Sequence, residues 1–267
     1  MGLALDLISG HVANPSGTIT AVTMATGDPT SVRNFNASTD RAAMLGVVRS
    51  GATAGAVQVR SPLFHDNVRG IQFESSEVTS LFSMPRFVGQ PLQPNDALVI
   101  GASGGSAETE IVGLVNWYSN LVGAAARLHS WGDISGIIKS IKPIQVAVAS
   151  SATIGTWLDT VLTTTENLLH ANTDYAVLGY GADTALSLIA VKGQETANLR
   201  AGGPGPVSSL DISDYFVTLS QLHGLPMIPV FNADNAPSVY VSVIANTASV
   251  ASNVQLICAE LSQNLPN

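Results

Sequence analysis

The sequence repeats itself at long range. Thr39-Asp40 aligns with Thr173-Asp174 at a shift of 134, Arg60 with Lys192 at 132, and Asn67-Val68-Arg69 with Asn198-Leu199-Arg200 at 131. Further on, Thr79–Pro85 aligns with Ser220–Pro226 at 141 and Ser106 with Ser249 at 143, which sets Ile111 against Val254 and Leu114 against Ile257. The drift is what insertions in surface loops produce. A period of about 130–145 residues is too long for a solenoid and fits two copies of a small domain. The first 35 residues of each half do not align.

At 267 residues the chain can bury one large core or two of ordinary size. Charged residues make up 11% of it, against about a quarter in an average soluble domain. Only Lys139, Lys142 and Lys192 are lysines, and Ala, Ser, Thr, Val, Gly and Asn stand where Glu and Lys are usual. A surface of small, weakly charged residues is cheap to desolvate and suits permanent subunit contacts. The competing reading is a compact enzyme with few charges. A net charge of −8 and scattered arginines argue against direct nucleic-acid binding, which needs clustered cations. The single cysteine, Cys258, excludes an intrachain disulfide and a cysteine-based zinc site, and reads as a small core residue. Met1–Leu5 lacks a basic leader and Asp6 interrupts it, so no secretory signal is expected. Asp6 also stands where a myristoylation signal after Gly2 would have Ser or Thr. The longest apolar stretch, Ile111–Ala126, is shorter than a membrane span and contains Asn116 and Asn120, so the chain reads as soluble.

Short β-branched runs between turns dominate. Strands are expected over Gly17–Thr26, Ala42–Arg49, Ala56–Arg60, Ala97–Ile100 and Glu110–Trp117 in the first half. In the second they are expected over Ile144–Ala149, Tyr175–Tyr180, Ala185–Lys192, Ser238–Ala245 and Asn253–Glu260. This rhythm predicts an all-β sandwich or barrel rather than alternating βα units. Two helices are expected in equivalent places, Ser75–Phe82 and Asp211–Leu219, each opened by capping residues and closed near Pro85 or Pro226. A third, from Asn120 to Ile141 and ending at Pro143, has no partner in the alignment and reads as the connector between halves. Gly202-Gly203-Pro204-Gly205-Pro206 is a rigid loop.

One motif invites an enzymatic reading. Gly101-Ala102-Ser103-Gly104-Gly105 satisfies G-x-S-x-G after an apolar run, and in an α/β-hydrolase it would present Ser103 on a strand-to-helix turn. His129, His170 and His223 follow it, and Asp211 and Asp214 precede the last of them. The segment after the loop is β-branched, however, and the matching loop Ala245–Ser249 carries no such signature, so a hairpin loop is favoured. The same glycines lack the full G-x-G-x-x-G of a dinucleotide site. No histidines are paired as metal ligands are, and Asn232-Ala233-Asp234-Asn235 reads as an Asx turn rather than a calcium loop. Asp211 and Asp214 read as helix caps. Trp117, Trp131 and Trp157 are too dispersed for a stacking platform and read as core or interface residues. No catalytic, cofactor or metal residue is assigned.

Two consecutive β-domains, each with a helix (Ser75–Phe82, Asp211–Leu219) before its final strand pair (Ala97–Ile100 with Glu110–Trp117; Ser238–Ala245 with Asn253–Glu260), resemble the double jelly-roll major capsid proteins of the adenovirus and tectivirus lineage, which include shells of membrane-containing bacteriophages. The resemblance covers most of the chain and rests on order, length and composition; the family has no catalytic motif to match, and 267 residues is near its lower limit. It implies two jelly-roll domains, 1–119 and 144–267, with residues 120–143 as a helical connector. It further implies a non-enzymatic virion protein, a homotrimer tiling an icosahedral capsid shell, with other capsid or vertex proteins and an internal membrane as partners. The N-terminal segment with Leu3, Leu5, Leu7 and Ile8 reads as an arm towards a neighbour or membrane, or else as a frayed terminus or edge strand. The alternatives are a serine hydrolase using Ser103 and a carbohydrate- or receptor-binding β-sandwich.

Overall fold

The β-branched runs do form strands. The computed structural model describes residues 2–63, 67–76, 79–84, 90–149, 153–162, 169–184, 186–206, 212–248 and 251–266. Among these, the first half holds β1 (Ala4–Ala13), β2 (Thr20–Ala21), β3 (Thr23–Met24), β4 (Ala42–Ser50), β5 (Gly55–Arg60), β6 (Ile71–Ser75), β7 (Thr79–Ser83), β8 (Gln90–Pro91), β9 (Val99–Ser103) and β10 (Thr109–Tyr118). The second holds β11 (Leu128–His129), α1 (Trp131–Ser135), β12 (Ile138–Val148), β13 (Leu158–Val161), β14 (Asp174–Ala182), β15 (Leu188–Gly193), β16 (Ala201–Pro204), β17 (Ile212–Ser213), α2 (Tyr215–His223), β18 (Ile228–Asn232), β19 (Val239–Ile244) and β20 (Ser252–Leu261). The fold is all-β and sandwich-like.

The two halves wind alike. In the first, sheet β3-β1-β10-β4-β7, with β8 also on β4, faces sheet β2-β9-β5-β6. In the second, sheet β11-β18-β14-β20-β12, with β17 also on β14, accompanies sheet β13-β19-β15-β16. Thus β1-β10-β4-β7 corresponds to β12-β20-β14-β18, and β2-β9-β5-β6 to β13-β19-β15-β16. The sequence alignment is nevertheless one residue out in the last strand. Gly113 faces Leu188 of the other half, which turns Ile111 outward, whereas Val254 pairs with buried Val146 and points into its own sandwich. Side chains alternate along a strand, so a slip of one exchanges the faces.

Three expected helices need correction. Ser75 ends strand β6 and Thr79–Phe82 lies in β7, paired with β4; β-branched Thr79 and aromatic Phe82 fit a pleated surface better than a helix. The second helix is real but begins at Tyr215, with Asp214 at the N-cap position making no side-chain capping bond, and ends at Gly224 in the left-handed region (φ 65°). The connector 120–143 is not helical. Its helix is one turn, Trp131–Ser135, closed by a Ser130–Asp133 capping box, and β12 takes the remainder from Ile138. Gly123 (φ 76°) breaks the chain just before Ala124-Ala125-Ala126, and Ile137, Ile138 and Ile141 favour a strand. Pro143 is tolerated because β12 is the sheet's edge strand. Glu77, Pro85, Asp211, Ser249 and His65 lie outside the described residues.

The N-terminal segment is neither an arm nor an edge. As β1 it lies between β3 and β10, its ten residues paired continuously with β10 from Ala4↔Tyr118 to Ala13↔Thr109. Strand Gly17–Thr26 is split into β2 and β3, which join different sheets. The expected hairpin at Gly101–Ser106 also joins strands of different sheets, since β9 pairs with β5 and β2 while β10 pairs with β1 and β4.

Candidate assembly interface

The two sandwiches stack front to back. Ile8, Val12, Met44, Val47, Val112 and Leu114 point towards β5 and β9 and form the first sandwich's own core with Val57, Val59, Ile100 and Ala102. The intervening Leu5, Leu7, Leu45, Val48, Ile111 and Val115 belong to a cluster with Leu188, Ile189, Val191 and Ala201 of the second half. Sheet β1-β10-β4 is therefore buried on both faces, which is why its strands read as continuous apolar runs rather than alternating ones. Strand β16 lies across β1, β10, β4 and β7. Close packing there needs Gly113, whose hypothetical Cβ would come within 3.0 Å of both Leu188 and Leu7.

A polar lock fixes this stack. Asp28, almost fully buried, accepts from Ser9 N and Oγ (2.8 and 3.0 Å), Trp157 Nε1 (2.9 Å) and Arg200 Nη1 (3.0 Å). The Arg200 guanidinium lies 4.6 Å from the Trp157 ring centroid, and its carbonyl accepts the Leu7 N–H at 2.7 Å. Asp159 adds a second carboxylate 3.7 Å from Arg200, and Lys192 holds it at 2.7 Å. The Asp159 carboxyl is lowered by its bonds to Lys192 and Ser242 against the opposing effect of burial.

The corresponding faces at the two ends of the stack are open only in part: β14 is buried throughout, with α2 packed against it, and Ala56 and Ser103 are buried at the other end. On β12 the outward residues Lys139, Ile141, Pro143, Gln145 and Ala147 are exposed in strict alternation with Ile144, Val146 and Val148. On the opposite end, the outer face of β5, β6 and β9 carries Ala56, Gln58, Gln72, Glu74 and Ser103, several of them around a cleft of about 510 Å³. Each end carries charge as well as neutral residues, Lys139 on β12 and Glu74 on β6.

The glycines of the G-x-S-x-G motif have a packing role. A Cβ on Gly104, or on Gly51 across from it, would land on the Glu110 carboxylate, and one on Gly105 would reach Glu108 at 2.6 Å. Glu110 pairs with Arg49 at 2.8 Å, both side chains fully buried. Burial pushes the Glu110 carboxyl up to about 7 despite Arg49, and the neighbouring Glu108 charge adds to the rise. Glu108 accepts from Gly105 N, Ala52 N and Thr53 Oγ1, bonds that lower its carboxyl against burial. Ser103 ends β9 rather than an elbow before a helix; its Oγ accepts the Ala56 N–H at 3.1 Å, and no histidine among the described residues lines the cleft beside it.

His129, His170 and His223 are distributed elsewhere. His129 lies in β11, its imidazole lowered by burial and by Arg127. His223 ends α2. His170 Nδ1 sits 3.1 Å from Glu260, which also takes Lys139 at 2.5 Å, Ser140 at 3.0 Å and Lys142 at 3.8 Å. These bonds, led by Lys139, hold the Glu260 carboxyl down at about 2. Arg127 forms a two-pronged bond to Asp174 (3.3 and 2.6 Å) beside a polar cleft of about 530 Å³. Asn232 caps the turn after β18 by accepting from Asp234 N, as its Asx pattern predicts. Trp157 is an interface residue and Trp117 is buried at the joint. Cys258 is a buried core thiol. Among the described residues no three His, Cys, Asp or Glu side chains gather as a metal site requires. The lock at Asp28 and Arg200 was missed in the sequence because its members lie 172 residues apart; the only available signal was the repeated Asn-Val/Leu-Arg triplet. No protein-family model matches this chain, and no curated protein matches it either.

Proposed function

We propose that the chain is a shell-forming structural protein, a double jelly-roll major capsid protein that assembles as a homotrimer in a virion. The observation that carries this reading is the front-to-back contact between two sandwiches of identical strand order. Such a contact is heterologous: each sandwich presents one face to its neighbour and leaves the opposite face for the next. Repeated between chains, it generates a ring if its rotation closes, and three chains would contribute six sandwiches. This reading takes the strand order β1-β10-β4-β7 beside β2-β9-β5-β6, repeated in the second half, as that of an eight-stranded jelly roll. The exposed alternate residues of β12, among them Ile141, Pro143 and Ala147, and a chain with 11% charged residues support permanent burial of that strand's outer side. Inter-trimer contacts, vertex proteins and an internal membrane remain partners implied by the same resemblance.

Sedimentation and electron microscopy of the purified protein test the reading. Trimers or closed shells are the expected outcome. A chain that stays monomeric at high concentration overturns it.

A further inference from the structure

Three loops meet at one end of the first sandwich: residues 14–19 between β1 and β2, 51–54 between β4 and β5, and 104–108 between β9 and β10. The first rests on the third through backbone bonds from Asn14 N to Glu108 O and from Gly17 N to Gly104 O, both 2.7 Å. The Glu108 carboxylate ties the third to the second, accepting from Gly105 N in its own loop and from Ala52 N and Thr53 Oγ1 across the gap. Arg49 reaches the same loop from beneath, its Nη2 donating to the Thr53 carbonyl and to Glu110 Oε1. Ala52 and Thr53 are exposed, whereas the Arg49 and Glu110 side chains are fully buried.

Glu110 is unevenly satisfied. Arg49 takes Oε1, but Oε2 is buried and has no hydrogen-bond partner among the described residues. An ionised carboxylate with one oxygen buried and unpaired is costly. The Glu108 carboxyl lies within hydrogen-bonding reach of it. Gly104 and Gly105 leave the space for this meeting, since a Cβ on the first would strike Glu110 and one on the second Glu108. Two carboxylates so placed repel unless a proton stands between them. On Glu110 Oε2 that proton turns the orphan oxygen into a donor and gives Glu108 a fourth bond. The charged groups facing Glu110 are Arg49 from β4 and Glu108 from the loop before β10. The other two loops, β9 and the start of β5 carry none.

We infer that Glu108 and Glu110 share a single proton and that this proton latches the three loops: while it is held they stay clamped, and when it leaves to solvent Glu108 swings outward and frees them. With the proton gone, two adjacent negative charges face one arginine, and Glu108, on the exposed side, is the group that can move to water. Burial and the Glu108 charge push the Glu110 carboxyl up to about 7, so the change falls near neutrality. Gly17, Ala54 and Ser103, in or beside these loops, also line the cleft of about 510 Å³, so release reshapes that cleft. The latch belongs to the single chain and does not depend on the shell reading.

Amide hydrogen exchange on the full chain reads the latch. The Ala52 and Gly105 N–H groups donate to Glu108, so their protection, corrected for intrinsic pH dependence, should fall by about tenfold from about pH 6 to about pH 8. Glu110→Gln keeps an uncharged donor beside Glu108 and should leave both amides protected throughout that range. Carboxyl-carbon NMR of glutamate-labelled protein tests the shared proton: Glu108→Gln removes the neighbouring charge and should lower the Glu110 midpoint by about one pH unit. Protection that stays constant in the wild type, or that falls equally in Glu110→Gln, overturns the latch. A Glu110 midpoint left in place by Glu108→Gln overturns the sharing. Wild-type exchange alone can refute the latch should either variant fail to fold.

Discussion

Sheet β1-β10-β4-β7 and its counterpart β12-β20-β14-β18 share a strand order and differ in what covers them. All nine residues of β4 and nine of the ten in β10 are buried, because the first sheet has its own partner on one side and the second sandwich on the other. In the counterpart sheet β14 is buried throughout as β4 is, with α2 packed against it, whereas β12 alternates along the strand, the pattern of a strand that meets solvent. The difference in cover therefore lies at β1 and β12, and position in the stack decides it. The same contrast extends to the last strand of each sandwich. Glu110 on β10 is walled in by Gly51 and Gly104 against a single buried arginine, whereas Glu260 on β20 faces cations that reach water.

The largest effect should come from breaking that asymmetry at the buried end. Glu110→Ala leaves Arg49 as a buried charge without its carboxylate and should cost about 3–5 kcal/mol in denaturant unfolding. Glu260→Ala should cost about 1 kcal/mol, because Lys139 and His170 can turn to water. Equal losses would mean that the two carboxylates do not sit in different environments.

At the joint, Asp28→Ala removes the acceptor of four hydrogen bonds and should destabilise the chain by about 2–3 kcal/mol. Trp157 fluorescence is the sharper readout, since its indole N–H loses its partner. If the two sandwiches part before either unfolds, the variant will show two transitions in place of one.

The two carboxylates should also respond oppositely to pH. Between its ordinary value of 4.5 and about 7, folded Glu110 keeps a proton that the unfolded chain releases, so its contribution to stability falls as pH rises through that window. For Glu260 the folded value of about 2 lies below 4.5, so its contribution is present above that range and is lost as pH falls through it. Melting temperatures measured from pH 3 to 8 check both. Glu110→Gln should flatten the slope above pH 4.5, and Glu260→Gln the slope below it.

The sequence disclosed strands as short apolar runs between turn residues, whether one face or both had to be buried, as in Asn253–Glu260 and in Ala42–Arg49 and Tyr175–Tyr180. It misled where composition was locally ambiguous. Ser75 and Thr79–Phe82 carry cap-like residues, yet β7 is held by pairing with β4, a partner some 30 residues earlier that no local window contains. The connector's alanines suggested a helix, while Gly123 and three isoleucines decided otherwise. β1 was expected only as an arm, a frayed terminus or an edge strand, because Asp6, paired with Arg33 at 2.5 Å, disguised its apolar character. The joint itself was legible only as a repeated triplet. Its energetics depend on Asp28 and Trp157, which align with nothing.

The smallest effect is the most discriminating. Leu7→Ser and Ile141→Ser substitute apolar residues on counterpart strands β1 and β12. Leu7 is fully buried against the second sandwich, so its loss should cost about 3 kcal/mol or more in any state of assembly. Ile141 is half exposed in the single chain, so Ile141→Ser should shift monomer stability by less than about 0.5 kcal/mol. If the β12 face is covered by another copy, the same substitution should weaken the assembly under conditions where the chain remains folded. Measuring unfolding below and above the assembly concentration separates the two terms. A penalty for Ile141→Ser that appears only above that concentration makes β12 the functional equivalent of β1, with the covering sandwich supplied from another chain; a penalty absent at both leaves the counterpart face as ordinary solvent-facing sheet.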